Sequence, residues 1–112
     1  MDCLVIKGGT PLKGDVKISG AKNAALPLMA ATLLTGEECV LRNLPNLSDV
    51  QFMARILKSL GASVEMNRGT IRVRAKNIGG FGDYDLIRKM RGSICILGPL
   101  MGRLNEAKVS MP

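Results

Sequence analysis

The feature that most constrains this fold is an apolar run at residues 24–34, which carries almost no polar side chain. A helix that is apolar on most sides has to be covered by other elements, so the run predicts a helix buried inside a layered domain. Proline is tolerated only in the first turn of a helix, and Pro27 therefore predicts that regular helix begins near Leu26. Lys22 and Asn23 would then lie at the mouth of this helix, directly after a strand.

Alternating apolar residues and turn-forming residues predict short strands around this helix. The segment Asn67-Arg68-Gly69 joins two alternating stretches and is typical of a β-hairpin. Strands and helices are interspersed without a long linker, which predicts a mixed α/β (α+β) fold. The predicted strands cover residues 3–7, 15–19, 38–43, 62–66, 70–75 and 107–111.

Two further helices are predicted from their caps and their apolar spacing. Ser48 and Gln51 fit a capping box at the start of one helix, and Gly61 fits its C-terminal cap. Asp85 can cap the other helix, which we expect Pro99 to kink. The apolar face of the first is formed by Val50, Met53, Ile56, Leu57 and Leu60, and that of the second by Ile87, Met90, Ile94, Leu97, Met101 and Leu104.

Composition excludes several classes of site. The chain has no histidine, so a histidine-based metal site, a Ser-His-Asp triad or a Cys-His dyad cannot be built from it. Cys3, Cys39 and Cys95 include no Cys-x-x-Cys pair, and Met1 runs directly into alternating residues without a signal peptide. No apolar run reaches membrane-spanning length. These features predict a protein of the reducing cytoplasm with no membrane association.

The charge of the chain suggests an anionic partner. Sixteen basic and nine acidic residues give a formal net charge of +7. Charge alone fits nucleic acid, a membrane surface or a phosphorylated metabolite, and many domains are equally basic without a specific partner. The only aromatic side chains are Phe52, Phe81 and Tyr84, so the stacking platform of a nucleic-acid binder is missing and nucleic acid is not an expected partner.

Two local patterns could hold an anion. The segment at residues 19–23, Ser-Gly-Ala-Lys-Asn, leads from a strand into a helix, where exposed N–H groups and a lysine favour phosphate or carboxylate. Arg88 and Arg91 would be neighbours on the last helix and could clamp a diphosphate or carboxylate. In both patterns the simpler interpretation is a solvated basic side chain. Asp49 is interpreted as a stabilising charge at a helix N-terminus rather than an acid–base group.

Four collinear segments carry a resemblance to a known family. They are LVIKGGTPLKGDVKISGAKNAALPLMAATLL, LRNLPNLSDV, YDLIRKMRGSICILGPL and EAKVSMP, and together they cover essentially the whole chain. In their order and spacing they are similar to the N-terminal portion of the bacterial UDP-N-acetylglucosamine 1-carboxyvinyltransferases. The resemblance implies an enolpyruvyl-transferase type fold of β-α-β-α-β-β units, present here as an incomplete N-terminal piece.

The resemblance also implies an activity and its binding residues. The family transfers the enolpyruvyl group of phosphoenolpyruvate to the 3′-hydroxyl of UDP-N-acetylglucosamine and releases phosphate, the first committed step of peptidoglycan synthesis. Lys22 and Asn23 match family residues at the phosphoenolpyruvate site, and Arg91 matches a family arginine at the nucleotide-sugar site. Arg88 inherits no such role. The family needs neither a metal nor an organic cofactor.

The resemblance further implies a division of the chain and a missing residue. Residues 1–21 would be strands of the second domain of the parent, and residues 22–112 the first part of its catalytic domain. In the family a Gly-Gly-Cys segment with the catalytic cysteine follows the stretch that matches residues 109–112. None of Cys3, Cys39 and Cys95 aligns with that cysteine, so the expected chain has substrate contacts, no catalytic residue, no turnover alone and a tendency to self-associate.

Two alternatives stay open at this point. The shikimate-pathway enolpyruvyl transferase belongs to the same superfamily, but it carries a Gly-Ser-Lys-Ser type segment where this chain has Gly20-Ala21-Lys22-Asn23. The other alternative is a non-catalytic fragment or split-chain partner, which would fold only with the remainder of the protein.

Overall fold

The computed structural model describes residues 1–81 and 84–110, where helices cover one face of a three-stranded sheet. The mixed α/β fold class is confirmed. Two short 3₁₀ segments, Thr32–Leu34 and Arg91–Ile96, extend the helical part of the chain. The regular elements are α1 Lys22–Ala31, β1 Glu38–Leu41, α2 Ser48–Ser59, β2 Ser63–Asn67, β3 Thr70–Arg74, α3 Tyr84–Arg88 and α4 Leu97–Leu104.

The sheet is antiparallel with the order β1-β3-β2, so β3 is its central strand. Alternation along β3 buries Ile71 and Val73 against the helices and exposes Arg72 and Arg74. On the exposed face the Arg72 guanidinium lies 3.1 Å from a Glu38 carboxylate oxygen. One face of the sheet is therefore core and the other is a solvated, charged surface.

The predicted hairpin is confirmed as the β2–β3 pair. Its two turn residues, Arg68 and Gly69, have φ angles of 47° and 79°. Two successive left-handed residues are the geometry of the tight turn that suits the right-handed twist of paired strands. β1 also forms as predicted but ends at Leu41, before Asn43 turns the chain with a φ of 59°.

Helix α1 differs from its prediction in both its start and its burial. It begins at Lys22 rather than near Leu26, with Pro27 inside it. The proline removes one backbone donor, and burial of Leu26, Met29 and other apolar side chains on one face offsets that loss. The helix is not covered on most sides, because Leu28 remains 52% exposed.

Helix α2 has the predicted apolar face but not the predicted capping box. Leu47 occupies the N-cap position and Ser48 is already helical, so the serine side chain makes no cap hydrogen bond. The Gln51 side-chain amide donates instead to the Asn46 Oδ1 atom at 3.3 Å. Gly61 ends the helix as predicted, with a φ of 105° that favours glycine.

The long helix predicted from residue 85 is broken into three pieces. Helix α3 ends at Arg88, and Met90 adopts extended backbone angles, φ −135° and ψ 122°. The buried Ser93 hydroxyl lies 2.7 Å from the Ile87 carbonyl oxygen and 2.6 Å from that of Met90, which stabilises the break. Pro99 lies in the first turn of α4, where its missing N–H has no partner within that helix to lose, so it stands near the start of a separate helix rather than inside the long helix that was expected.

The terminal strand predictions are wrong for this chain. Residues 1–20 form no strand, and the side chains of Leu4, Ile6, Val16 and Ile18 are between 77% and 93% exposed. A strand needs a hydrogen-bonding neighbour, and the sheet of β1, β2 and β3 does not extend to this segment. At the other end, the predicted strand at residues 107–111 is reduced to one bridge between Phe81 and Lys108, and residue 111 lies outside the described residues.

Candidate functional site

The candidate site begins at the N-terminus of α1. Lys22 is the first helical residue, and Ala21 before it is extended and provides no side-chain cap. The first N–H groups of a helix have no acceptor within the helix, so this end is free to accept a negative group. A Cβ atom placed on Gly20 would lie 1.8 Å from the Asn43 carbonyl oxygen. Glycine at position 20 therefore allows the chain to enter α1 against the loop that follows β1.

The structure places Asp49 beside Lys22. The Lys22 Nζ atom lies 3.1 Å from the Asp49 Oδ2 atom, and the two side chains are 45% and 40% exposed. Asp49 is in the first turn of α2, where the predicted stabilisation of the helix N-terminus applies. The ion pair also ties the N-termini of α1 and α2 together. Sequence reasoning missed this contact, since no local pattern links residues so far apart in the chain.

Arg91 lies on the segment that packs against α1. It opens the second 3₁₀ segment, and a Cβ atom on the next residue, Gly92, would lie 3.0 Å from the Leu26 Cδ1 atom. Leu26 follows Lys22 by about one helical turn. The fold thus brings the backbone that carries Arg91 close to the start of α1, while Arg91 and Asn23 both remain exposed.

Arg88 and Arg91 do not share a helix face, so the predicted arrangement of a two-arginine clamp is wrong. Helix α3 ends at Arg88, and the extended Met90 separates it from the segment of Arg91. The Arg88 Nε atom instead lies 3.6 Å from the Asp85 Oδ1 atom on the same helix. Arg91 is left as the arginine of the candidate site.

Lys22, Asn23 and Arg91 are exposed and line neither of two grooves near the loop that follows β1. The larger groove, of about 640 Å³, lies between the loop after β1 and the hairpin turn, with Pro45, Met66 and Arg68 in its walls. A smaller groove of about 150 Å³ lies between α1 and the loop after β1, with Ala24 and Arg42 among its lining residues. The candidate site therefore consists of three exposed polar side chains that line neither of these two grooves of the described residues.

The cysteines and acidic residues offer no further site in the described part of the chain. Cys3 is exposed in the N-terminal segment, Cys39 lies within β1, and Cys95 packs against the core. Across residues 1–81 and 84–110 there is no group of three or more cysteine or carboxylate side chains that could hold a metal ion. The same residues contain no helix long and apolar enough to cross a membrane.

Comparison with known proteins shows that the chain is similar to carboxyvinyltransferases. The family described as EPSP synthase (3-phosphoshikimate 1-carboxyvinyltransferase) matches residues 6–112. A UDP-N-acetylglucosamine 1-carboxyvinyltransferase of Methylacidiphilum infernorum is 56% identical over 112 residues, which are 100% of this chain and 27% of that protein. Proteins of the same description from Akkermansia muciniphila and Helicobacter pylori strain 26695 are 49% and 51% identical, again over 100% of this chain and 26% and 27% of theirs.

A solved structure shares the fold. The enolpyruvyl transferase NikO from Streptomyces tendae superposes with a TM-score of 0.70 at 25% identity, over 84% of this chain and 22% of that one. The chain therefore spans about a quarter of the length of the curated relatives and of the solved structure that it matches.

Proposed function

The chain belongs to the EPSP synthase family of enolpyruvyl transferases, and from this premise we propose that it forms part of a UDP-N-acetylglucosamine 1-carboxyvinyltransferase. The proposed reaction adds the sugar 3′-hydroxyl across the C2–C3 double bond of phosphoenolpyruvate, with the oxygen bonding to C2 and a proton to C3. Phosphate then leaves C2 as a proton leaves C3, which restores the double bond. The product is an enolpyruvyl ether of the nucleotide sugar, and the reaction is the first committed step of peptidoglycan synthesis in the cytoplasm.

The observation that carries the proposal is the position of Lys22 as the first residue of α1. Phosphoenolpyruvate has a phosphate and a carboxylate, and a helix N-terminus with a lysine offers both backbone N–H groups and a full positive charge. Asn23, the next residue, has an amide that can both donate and accept a hydrogen bond, and we assign it to orienting the two substrates.

Arg91 is proposed to contact the nucleotide sugar. Its segment packs against α1, so an anion held at Arg91 would lie near one held at Lys22. A guanidinium can bind a diphosphate oxygen pair through two parallel hydrogen bonds. The net charge of +7 is consistent with two multiply anionic substrates.

The nucleotide sugar is favoured over shikimate 3-phosphate as the acceptor. Relatives between 49% and 56% identical to the whole chain are described as UDP-N-acetylglucosamine 1-carboxyvinyltransferases. The segment Gly20-Ala21-Lys22-Asn23 also differs from the Gly-Ser-Lys-Ser type of the shikimate-pathway enzyme.

We assign substrate contacts to this chain and no catalytic residue among those that the structure describes. The cysteines lie in the N-terminal segment, in β1 and against the core, and none is proposed as the general acid.

A second candidate function, that of a split-chain partner, is favoured by the exposed side chains of residues 1–20. We propose that residues 1–21 pair as strands in a second domain, and that residues 22–112 form the first part of the catalytic domain. The same exposed segment would favour self-association of the isolated chain.

The test is the variant Lys22→Ala in the full polypeptide that carries this sequence. Loss of a charge-assisted contact should weaken phosphoenolpyruvate binding by about 1.5–3 kcal/mol, and phosphate release should fall with it. Binding is measured by isothermal titration calorimetry in the presence of UDP-N-acetylglucosamine. Lys58→Ala, in the exposed last turn of α2, removes the same charge elsewhere and should leave binding unchanged. Equal affinities for Lys22→Ala and the parent would contradict the proposal.

A further inference from the structure

We propose that Asp49 is a positioning residue for Lys22, holding the lysine ammonium at the mouth of α1 where it meets the substrate anion. The inference rests on the proposed function, because it takes Lys22 to be a substrate contact. Beyond the proposed function, it gives a role to the Asp49 carboxylate, which contacts the lysine rather than the substrate. The observation behind it is the 3.1 Å separation of the Lys22 Nζ and Asp49 Oδ2 atoms.

The placement of Lys22 is electrostatically unfavourable without a partner. The N-terminus of a helix carries a partial positive charge, so a lysine in the first residue of α1 is repelled by its own helix. Asp49, in the first turn of α2, is favoured by the dipole of its own helix and faces the lysine. One carboxylate therefore stabilises both helix N-termini and keeps the ammonium between them.

The geometry leaves Lys22 able to bind a second group. An ammonium has three N–H donors, and its ion pair with the Asp49 Oδ2 atom involves only one side of the group. Donors on the other side remain for a phosphate or carboxylate oxygen. A lysine side chain has four rotatable bonds, and fixing one end of the ammonium reduces the freedom that would be lost when the anion binds.

The ion pair contributes little to the fold, which makes its role in binding measurable. Its side chains are 45% and 40% exposed, and exposed ion pairs add little to folding stability. An Asp49 variant should therefore lower the unfolding midpoint in urea only slightly, through the lost charge at the helix N-termini, while clearly weakening its affinity for the anion. A role limited to stabilising the two helices would give the opposite pattern.

The experiment is a double-mutant cycle in the full polypeptide that carries this sequence, with phosphoenolpyruvate as the probe and UDP-N-acetylglucosamine present. Asp49→Ala removes the ion-pair partner and should weaken phosphoenolpyruvate binding by up to roughly tenfold, because the freed lysine side chain must then be ordered when the anion binds. Asp49→Asn keeps an amide oxygen but loses the negative charge, so its affinity should fall between those of the parent and Asp49→Ala. Adding Asp49→Ala to Lys22→Ala should cause no further loss, because the group that Asp49 positions is already gone.

The outcomes separate this inference from the proposed function. If Lys22→Ala binds phosphoenolpyruvate like the parent, the lysine is not a substrate contact and the proposed function fails first. If Lys22→Ala is weak while Asp49→Ala binds like the parent, the lysine contact stands and the positioning role is refuted. The positioning role would also be overturned if Asp49→Asn bound phosphoenolpyruvate as weakly as Asp49→Ala does. The same would follow if the losses of affinity in the double variant were additive.

Discussion

Replacing Arg103 by methionine should clearly destabilise this chain, because its guanidinium bridges three parts of the fold. From helix α4, its Nη1 atom donates to the carbonyl oxygens of Leu33, at 3.0 Å, and of Ala75. Its Nη2 atom donates to the carbonyl oxygen of Lys76 at 3.1 Å. One side chain thus joins α4 to the first 3₁₀ segment and to the end of β3.

The size of the effect follows from these contacts. A hydrogen bond from a charged donor contributes about 1.5–3 kcal/mol, and three would give several kcal/mol if all were fully buried. The bond to Lys76 is exposed and the other two are partly buried, so water can replace part of the interaction. We therefore expect Arg103→Met to lower the free energy of unfolding by about 3 kcal/mol, a large fraction of the 5–15 kcal/mol typical of native domains.

The assay is urea unfolding followed by far-ultraviolet circular dichroism. Arg103→Lys should fall between the parent and Arg103→Met, because a compact ammonium cannot reproduce the planar fork of donors. Arg42→Met, which removes the same charge at an exposed position after β1, serves as the control. If Arg103→Met and Arg42→Met had equal midpoints, the three-carbonyl bridge would not be a source of stability and the reasoning would be refuted.

Two further predictions concern a turn and the nucleotide-sugar contact. Gly61→Ala should lower the free energy of unfolding in urea by at least about 1 kcal/mol. The reason is that φ at this position is 105° and the new Cβ atom would lie 2.6 Å from the Asn77 carbonyl oxygen. An unchanged urea midpoint would contradict this. Arg91→Lys should weaken UDP-N-acetylglucosamine binding by about tenfold in calorimetry, since an ammonium cannot make the two parallel hydrogen bonds of a guanidinium. If Arg91→Lys bound as tightly as the parent, Arg91 would be a solvated residue.

Local patterns were sufficient for the elements whose cause lies within a few residues. The hairpin at β2 and β3 follows from alternation around Asn67-Arg68-Gly69, where Gly69 adopts the left-handed conformation of the turn without steric cost. The apolar face of α2 and its end at Gly61 were predicted for the same reason. These features depend on side-chain period and backbone sterics, which a short window of sequence contains.

Local patterns failed where contacts between distant segments decide the outcome. The three-four spacing from Ile87 onward fits one long helix, yet Ser93 satisfies the carbonyl groups of a break at Met90. Pro27 argued for a late start of α1, but burial of one face keeps the helix intact from Lys22. The strands predicted in residues 1–20 lack a neighbour in this chain, and a strand is defined by its neighbour.

The sequence by itself determined the fold class, the hairpin, the amphipathic face of α2 and the family, since four collinear segments extend over the whole chain. It also indicated Lys22, Asn23 and Arg91 through the family resemblance. Only the tertiary structure showed that Asp49 pairs with Lys22, that Arg91 approaches α1 through Gly92, and that Arg103 joins three segments. The physical reason is that period and turn preferences act along the chain, whereas ion pairs and close packing act between residues that only folding brings together.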